Sequence, residues 1–276
     1  MLRSCRCRCW AVSLFYCFIQ TDVATRHICS LWTIPVEMRF TVILLLTLPF
    51  ITIGQTIVDY PVNESLVGTW EATNSEEYEG VYRFGMSEWE SEFYLAIDGD
   101  IISAQVKDHE WIDSDDENLK GWQSRYRNYH NVKIVGNKFY SDETEGEFVT
   151  YKFEGKQING LKLKNPPNSY DDKYEIGIFQ IKDKLIFFSG EYARTKFDIM
   201  TNETLNSFQL EDLKVMRNEI FARYGHVFNK GGAMAEHFGS QKWYYPIERD
   251  VSQLLTEIEL KNIANIRAIE AKKKSP

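Results

Sequence analysis

Between residues 60 and 198 the chain repeats one pattern, a short apolar alternation followed by a turn signal. Phe93, Leu95 and Ile97 alternate along one segment, Asp98-Gly99 follows, and Ile102, Ala104 and Val106 lead back. Gly136-Asn137 separates Val132 and Ile134 from Phe139, and Glu154-Gly155 separates Val149, Tyr151 and Phe153 from Ile158, Leu161 and Leu163. Tyr174, Ile176 and Ile178 lead to Lys182-Asp183 and back through Leu185 and Phe187. A period of two with Gly-containing two-residue turns is the signature of β-hairpins, because such turns need a positive φ that glycine adopts freely. With Val67–Ala72 and Val81–Met86 this gives eight or nine strands. Consecutive hairpins imply an antiparallel β-meander, and closure into a barrel or a two-layer sandwich would remove its edges.

Asp108–Asn131 interrupts the pattern. It carries the acidic run Asp113–Glu117 between Trp111 and Trp122. Such a run offers oxygens to calcium, but the twelve-residue calcium-loop pattern is absent, and a solvated acidic loop is the plainer reading. Trp111, Trp122 and Tyr126 are candidates for a ligand groove, weighed against the ordinary use of aromatics as core. His109 and His130 flank the loop, with no nucleophile or carboxylate at a motif spacing from either. No catalytic residue, metal site or cofactor is expected.

All five cysteines precede Met38, so the rest of the chain forms neither disulfide nor thiolate metal site. Met38-Arg39-Phe40 followed by the apolar run Val42–Ile51 reads as a secretory signal peptide over 38–54, too short to span a membrane comfortably. Residues 1–37 have no usable period and are expected to be a non-native or disordered extension. The rest is acidic, with a formal charge of −8 for the whole chain, which argues against nucleic acid and anionic lipid as partners.

After residue 198 the period changes. Leu210, Leu213, Ile220, Phe221 and Tyr224 fall on one side of a helix that Asn206 or Ser207 is placed to cap and Gly225 to end. Ala233–Phe238 suits a short second helix, Trp243-Tyr244-Tyr245-Pro246 an aromatic turn, and Thr256 with Glu259 a capping box opening the last helix. The expected fold class is therefore α+β: a β-domain over 60–198, then a small all-α module over 204–272.

Two resemblances bear on these parts. Gly68-Thr69-Trp70 resembles the Gly-x-Trp opening of lipocalin-like barrels, which implies a late basic residue, Arg194 by position, over Trp70. The plainer reading is a buried tryptophan at a strand start. The second is broader. Arg217-Asn218-Glu219-Ile220, Phe228, Phe238, Trp243-Tyr244, Pro246, Leu255-Thr256, Glu259 and Asn262-Ile263 resemble, in order, the pattern of the YARHG domain, a bacterial extracellular domain of unknown molecular function. In the five namesake positions Phe221 stands for Tyr and Tyr224 for His. A histidine doing proton chemistry is not replaced by tyrosine without loss, so either position 224 is structural or this copy is inactive, and the structural reading is the plainer one. Arg217, Asn218, Glu219, Arg223, Gly225, Trp243 and Tyr244 are its expected structural residues, with Asn218 and Arg223 bonding the Trp243–Pro246 turn and the last helix.

The expectation for function is an exported, periplasmic or secreted, non-catalytic binding protein of the bacterial envelope. Its expected partner is a cell-wall glycan, a peptide or an envelope protein. The rival is a cell-wall or peptide hydrolase with its site in the β-domain.

Overall fold

The computed structural model describes residues 62–85, 90–113, 121–153, 155–167, 174–181 and 188–275. The expected extension, the signal peptide, Ser114–Glu117 of the acidic run and the return strand through Leu185 and Phe187 lie outside these residues. The described residues belong to one compact unit.

Ten antiparallel strands make one sheet: β1 (Val67–Thr69), β2 (Gly80–Phe84), β3 (Ser91–Asp98), β4 (Ile101–Ile112), β5 (Gly121–Tyr129), β6 (Lys133–Val135), β7 (Lys138–Tyr140), β8 (Glu145–Phe153), β9 (Lys156–Lys164) and β10 (Tyr174–Ile181). Their order is β5-β4-β3-β2-β10-β9-β8-β7-β6, with β1 pairing β8 off this path. The hairpin turns fall where the glycines place them, and Asp98 pairs with Ile101 and Val135 with Lys138 around Gly99 (φ 58°) and Gly136 (φ 61°).

The sheet is not a closed barrel. Its end strands β5 and β6 do not pair with each other. Near the short link between them, residues 130–132, the Asp142 amide donates to the His130 carbonyl (2.9 Å) and Tyr129 of β5 packs edge-on against Phe139 of β7. The sheet curves about a core on one face: Tyr82 and Phe84, Phe93 and Leu95, Val106, Phe139, Phe148, and Leu161 and Leu163. Phe148 stacks on Tyr78 at 3.9 Å between ring centroids, and Trp70 meets both rings edge-on. Arg194 does not cover Trp70. It pairs with Asp198 at 2.8 Å and its side chain is 68% exposed.

Asp108–Asn131 is only partly an interruption: β4 runs on to Ile112 and β5 returns from Gly121. The strand signal is muted because charged and polar residues interleave with the aromatics on both strands. Polar groups settle across the ladder instead, with buried Asp108 accepting from Arg125 Nε (2.8 Å) and Nη2 (3.0 Å) and from Arg127 Nη2 (2.8 Å).

Four helices follow: α1 (Asn202–Ser207), α2 (Leu210–Ala222), α3 (Ala233–Gly239) and α4 (Glu257–Lys274). Asn206 and Ser207 do not cap α2. They lie inside α1, which Thr201 caps, and a Gln209/Asp212 capping box opens α2. The expected Thr256/Glu259 box opens α4. Replacing Thr256 by alanine removes one half of that box and is expected to cost about 1 kcal/mol of stability, read from urea unfolding of the full chain.

The helices seat on the second face of the sheet. Val81, Tyr94 and Ala96 point away from the sheet core and pack against Phe197 and against Ile258 of α4. A separate helical core joins Leu213, Met216 and Ile220 of α2 to Ile263, Ile266 and Ile269 of α4.

Candidate functional site

Where the helices meet the sheet lies a buried group of charges. Glu219 on α2, Arg223 directly after its last residue, Glu259 on α4 and Lys196 in the turn Ala193–Lys196 have side chains no more than 5% exposed. Two cations face two carboxylates, so the group is formally neutral. Its centre is the tyrosine in the motif's histidine position. Tyr224 donates to Glu259 Oε2 (2.6 Å) and accepts from Lys196 Nζ (2.6 Å). Lys196 also donates to Gln105 Oε1 on β4 (2.6 Å), and Gln105 Nε2 donates to Asn128 Oδ1 on β5 and to the Leu254 carbonyl, each at 2.7 Å. Burial pulls the Lys196 ammonium down to about 8 and pushes the Tyr224 phenol well above its usual value. At neutral pH Tyr224 is therefore a fixed hydrogen-bonding post rather than a base.

Glu219 holds the other side. Its carboxylate accepts from the Glu191 amide (2.8 Å), the Tyr192 amide (2.9 Å) and Arg223 Nη2 (2.9 Å). It can sit there because residue 190 is glycine at φ 114°, where any β-carbon would strike the carboxylate. Arg223 Nη2 also donates to the Tyr192 carbonyl (2.6 Å) and Thr195 Oγ1 (2.8 Å), and Nη1 stands 3.6 Å from Glu259 Oε1.

The polar ties thus differ from those expected. Arg223 grips the Tyr192–Thr195 turn and reaches α4 only through a carboxylate. Asn218 donates to the Lys214 carbonyl of its own helix (2.7 Å). The Glu219–Arg223 pair, worth a few tenths of a kcal/mol on an exposed helix, is buried. Arg217 pairs with Glu270 at 3.2 Å. Gly225 (φ 74°) ends the helical turn, and a β-carbon there would meet the Tyr245 carbonyl at 2.8 Å. Tyr244 donates to the His226 carbonyl (2.6 Å) and packs with Phe228 and Phe238.

Above this group opens a cleft of about 420 Å³. One wall is β5, with Trp122, Ser124 and Tyr126 on one face of the strand, and Lys107 beside them on β4. The other wall is the end of the motif, Ala222–Gly225, with Trp243, Tyr245 and Ile247 from the aromatic turn. Candidates from both halves of the sequence meet here: Trp122 and Tyr126 with Arg223, Gly225 and Trp243. Trp122 is 53% exposed, and Trp111, its cross-strand partner, braces it edge-on at 5.8 Å without lining the cleft. Tyr126 is half-buried and meets Tyr224 edge-on at 4.8 Å. Lys196 and Gln105, which carry the network below, are not among the motif residues quoted above. Nothing in their local sequence marks either of them, because their burial is set by the seating of the helices on the sheet.

Three other candidates lie elsewhere. His109 is exposed on β4. His130 Nδ1 lies 2.6 Å from Glu143 Oε1, beside a smaller cleft of about 320 Å³ that Ser103 and Asn128 also line. Among the described residues its Nε2 reaches no hydroxyl or thiol, and no group of acidic, histidine or cysteine side chains is placed to hold a metal.

Fold and cleft define an α+β protein with a small helical domain seated on a curved sheet. That domain is a YARHG domain, whose family model matches residues 192–271. The match opens at Tyr192, so the turn that Arg223 grips and the buried Lys196 fall inside it. No curated protein and no solved structure matches the chain.

Proposed function

We propose that this chain is an exported binding protein of the bacterial cell envelope that takes a cell-wall glycan in the cleft between β5 and the YARHG motif. The observation that carries the reading is the pairing of open aromatic walls with a rigid floor. Trp122 and Tyr245 are 53% and 46% exposed on opposite sides of the cleft. Flat aromatic faces suit the C–H faces of sugar rings, while Ser124 and Lys107 offer groups for hydroxyls. Beneath them the charge group fixes Arg223 and Tyr224, so little ordering is required on binding. Export rests on the apolar run Val42–Ile51.

Titration of the full chain with soluble peptidoglycan fragments, followed by tryptophan fluorescence, tests the reading. Saturable quenching is expected, and Trp122→Ala should raise Kd at least tenfold, which corresponds to about 1.4 kcal/mol. Because Trp122 is half exposed on a strand end, its loss should leave the unfolding midpoint nearly unchanged. Quenching that survives Trp122→Ala would place the ligand elsewhere, and quenching only by the fragments' peptide part would replace the glycan by a peptide.

The His130–Glu143 dyad favours the second reading, a hydrolase. A carboxylate that orients an imidazole is half of a general-base device, though the nucleophile is not in place. Turnover of the same fragments, abolished by His130→Ala, would establish it over the binding reading.

A further inference from the structure

A second cleft, of about 780 Å³, opens on the far side of the motif between α2 and the start of α3. Its chemistry is unlike that of the first. Lys214, Arg217, Lys230 and Arg249 line it, against one carboxylate, Glu211. Two of the four cations are answered: Lys214 by Glu211 at 2.6 Å and Arg217 by Glu270 at 3.2 Å. Lys230 and Arg249 meet no carboxylate among the described residues, and both are exposed. His226 also lines the cleft, and its Nδ1 is buried without a hydrogen-bond partner among the described residues. The floor is apolar, formed by Val227, Phe228 and Met234.

Net positive charge in one concavity is a local departure on a chain of formal charge −8. A cleft lined by one sign of charge over low-dielectric walls focuses its field and concentrates ligands of the other sign. The bases come from three separate parts of the chain: helix α2, the loop at Lys230 and the segment at Arg249. Between them the lining is apolar, with Val227, Phe228 and Met234. That arrangement suits several carboxylates spaced along a chain with apolar contacts between them better than a single compact anion.

We infer that this cleft binds an acidic peptide segment, its carboxylates on Lys230 and Arg249 and its apolar atoms on Met234 and Phe228. The inference does not depend on the aromatic cleft.

The test uses the full chain and three probes: a tetraglutamate peptide, its neutral tetraglutamine counterpart and inorganic phosphate. Isothermal titration at low and at high salt reads the affinity. Tetraglutamate should bind, and weaken as salt rises. The double variant Lys230→Glu/Arg249→Glu should weaken it at least tenfold. The double variant Lys272→Glu/Lys274→Glu, with the same change of net charge on the exposed end of α4, should not. Both pairs are exposed, so folding is not at stake. No saturable binding of tetraglutamate, equal binding of tetraglutamine, or equal loss from the two double variants would overturn the inference. Phosphate binding as tightly as the peptide would overturn the peptide assignment in favour of a small-anion site.

Discussion

Replacing Glu259 by alanine is expected to lower the stability of the full chain by about 3–5 kcal/mol, a large part of the total for a unit of this size. The reason lies in what remains. Glu259 Oε2 accepts from Tyr224 (2.6 Å), from the Thr256 amide (3.0 Å) and hydroxyl (3.1 Å), and pairs with Lys196 (3.4 Å). Without it, buried Lys196 and Arg223 face Glu219 alone, and the α4 capping box is lost. Removing one partner of a buried pair costs far more than replacing the whole pair, because the surviving charge stays desolvated. Part of the cost can be relieved if Lys196 gives up its proton, so the loss should be smaller at pH 9 than at pH 7. Glu259→Gln should fall between wild type and Glu259→Ala, since it keeps an acceptor for Tyr224. Urea unfolding at both pH values checks this, and a loss under about 1 kcal/mol at pH 7 would show that the group is not electrostatically closed.

How much of this was legible depended on how local each cause is. The hairpins at Gly99, Gly136 and Gly155 were readable because a two-residue turn is a dipeptide property, and the α4 start because a capping box spans four residues. Strand β5 was not, because Arg125 and Arg127 look like loop residues until Asp108 stands across the ladder from them. Closure of the sheet could not be read from alternation, which tells which residues face inward but not whether the last strand meets the first. The motif located the YARHG domain but not its ties. Arg223 is bonded to Tyr192 and Thr195, some thirty residues earlier, and no spacing rule links them. The cleft is the same case: Trp122 and Trp243 lie far apart in the chain, and only the seating of the helices on the second face of the sheet brings them together.

Lys196→Met is expected to remove a rise of stability with pH that the wild type shows between about pH 8 and 10. Burial, and secondarily Arg223, pull the folded-state ammonium down to about 8 from its ordinary 10.5, against the opposing pull of Glu259. Below pH 8 both states hold the proton and the folded state bears the whole penalty of a buried charge. Between 8 and 10.5 the unfolded chain keeps the proton that the folded chain has released, so the unfolded state binds more protons and stability rises with pH. A difference of this size sets an upper bound on the order of 3 kcal/mol. Above about pH 10 the trend reverses. The Tyr82, Tyr94 and Tyr224 phenols are held protonated in the fold by burial while their unfolded counterparts ionise, and stability then falls. The groups facing Lys196 are Glu259 from α4, Arg223 and Tyr224 from the turn that follows α2, and Gln105 from β4. Methionine fills much of the same volume without charge, and Glu259 retains Tyr224, Thr256 and Arg223. The variant should therefore lose less stability at pH 7 than Glu259→Ala does. Thermal unfolding of both proteins at pH 7.5, 8.5 and 9.5 decides: a wild-type midpoint that climbs while that of Lys196→Met stays level supports the assignment, and parallel curves would mean that another group carries the pH dependence.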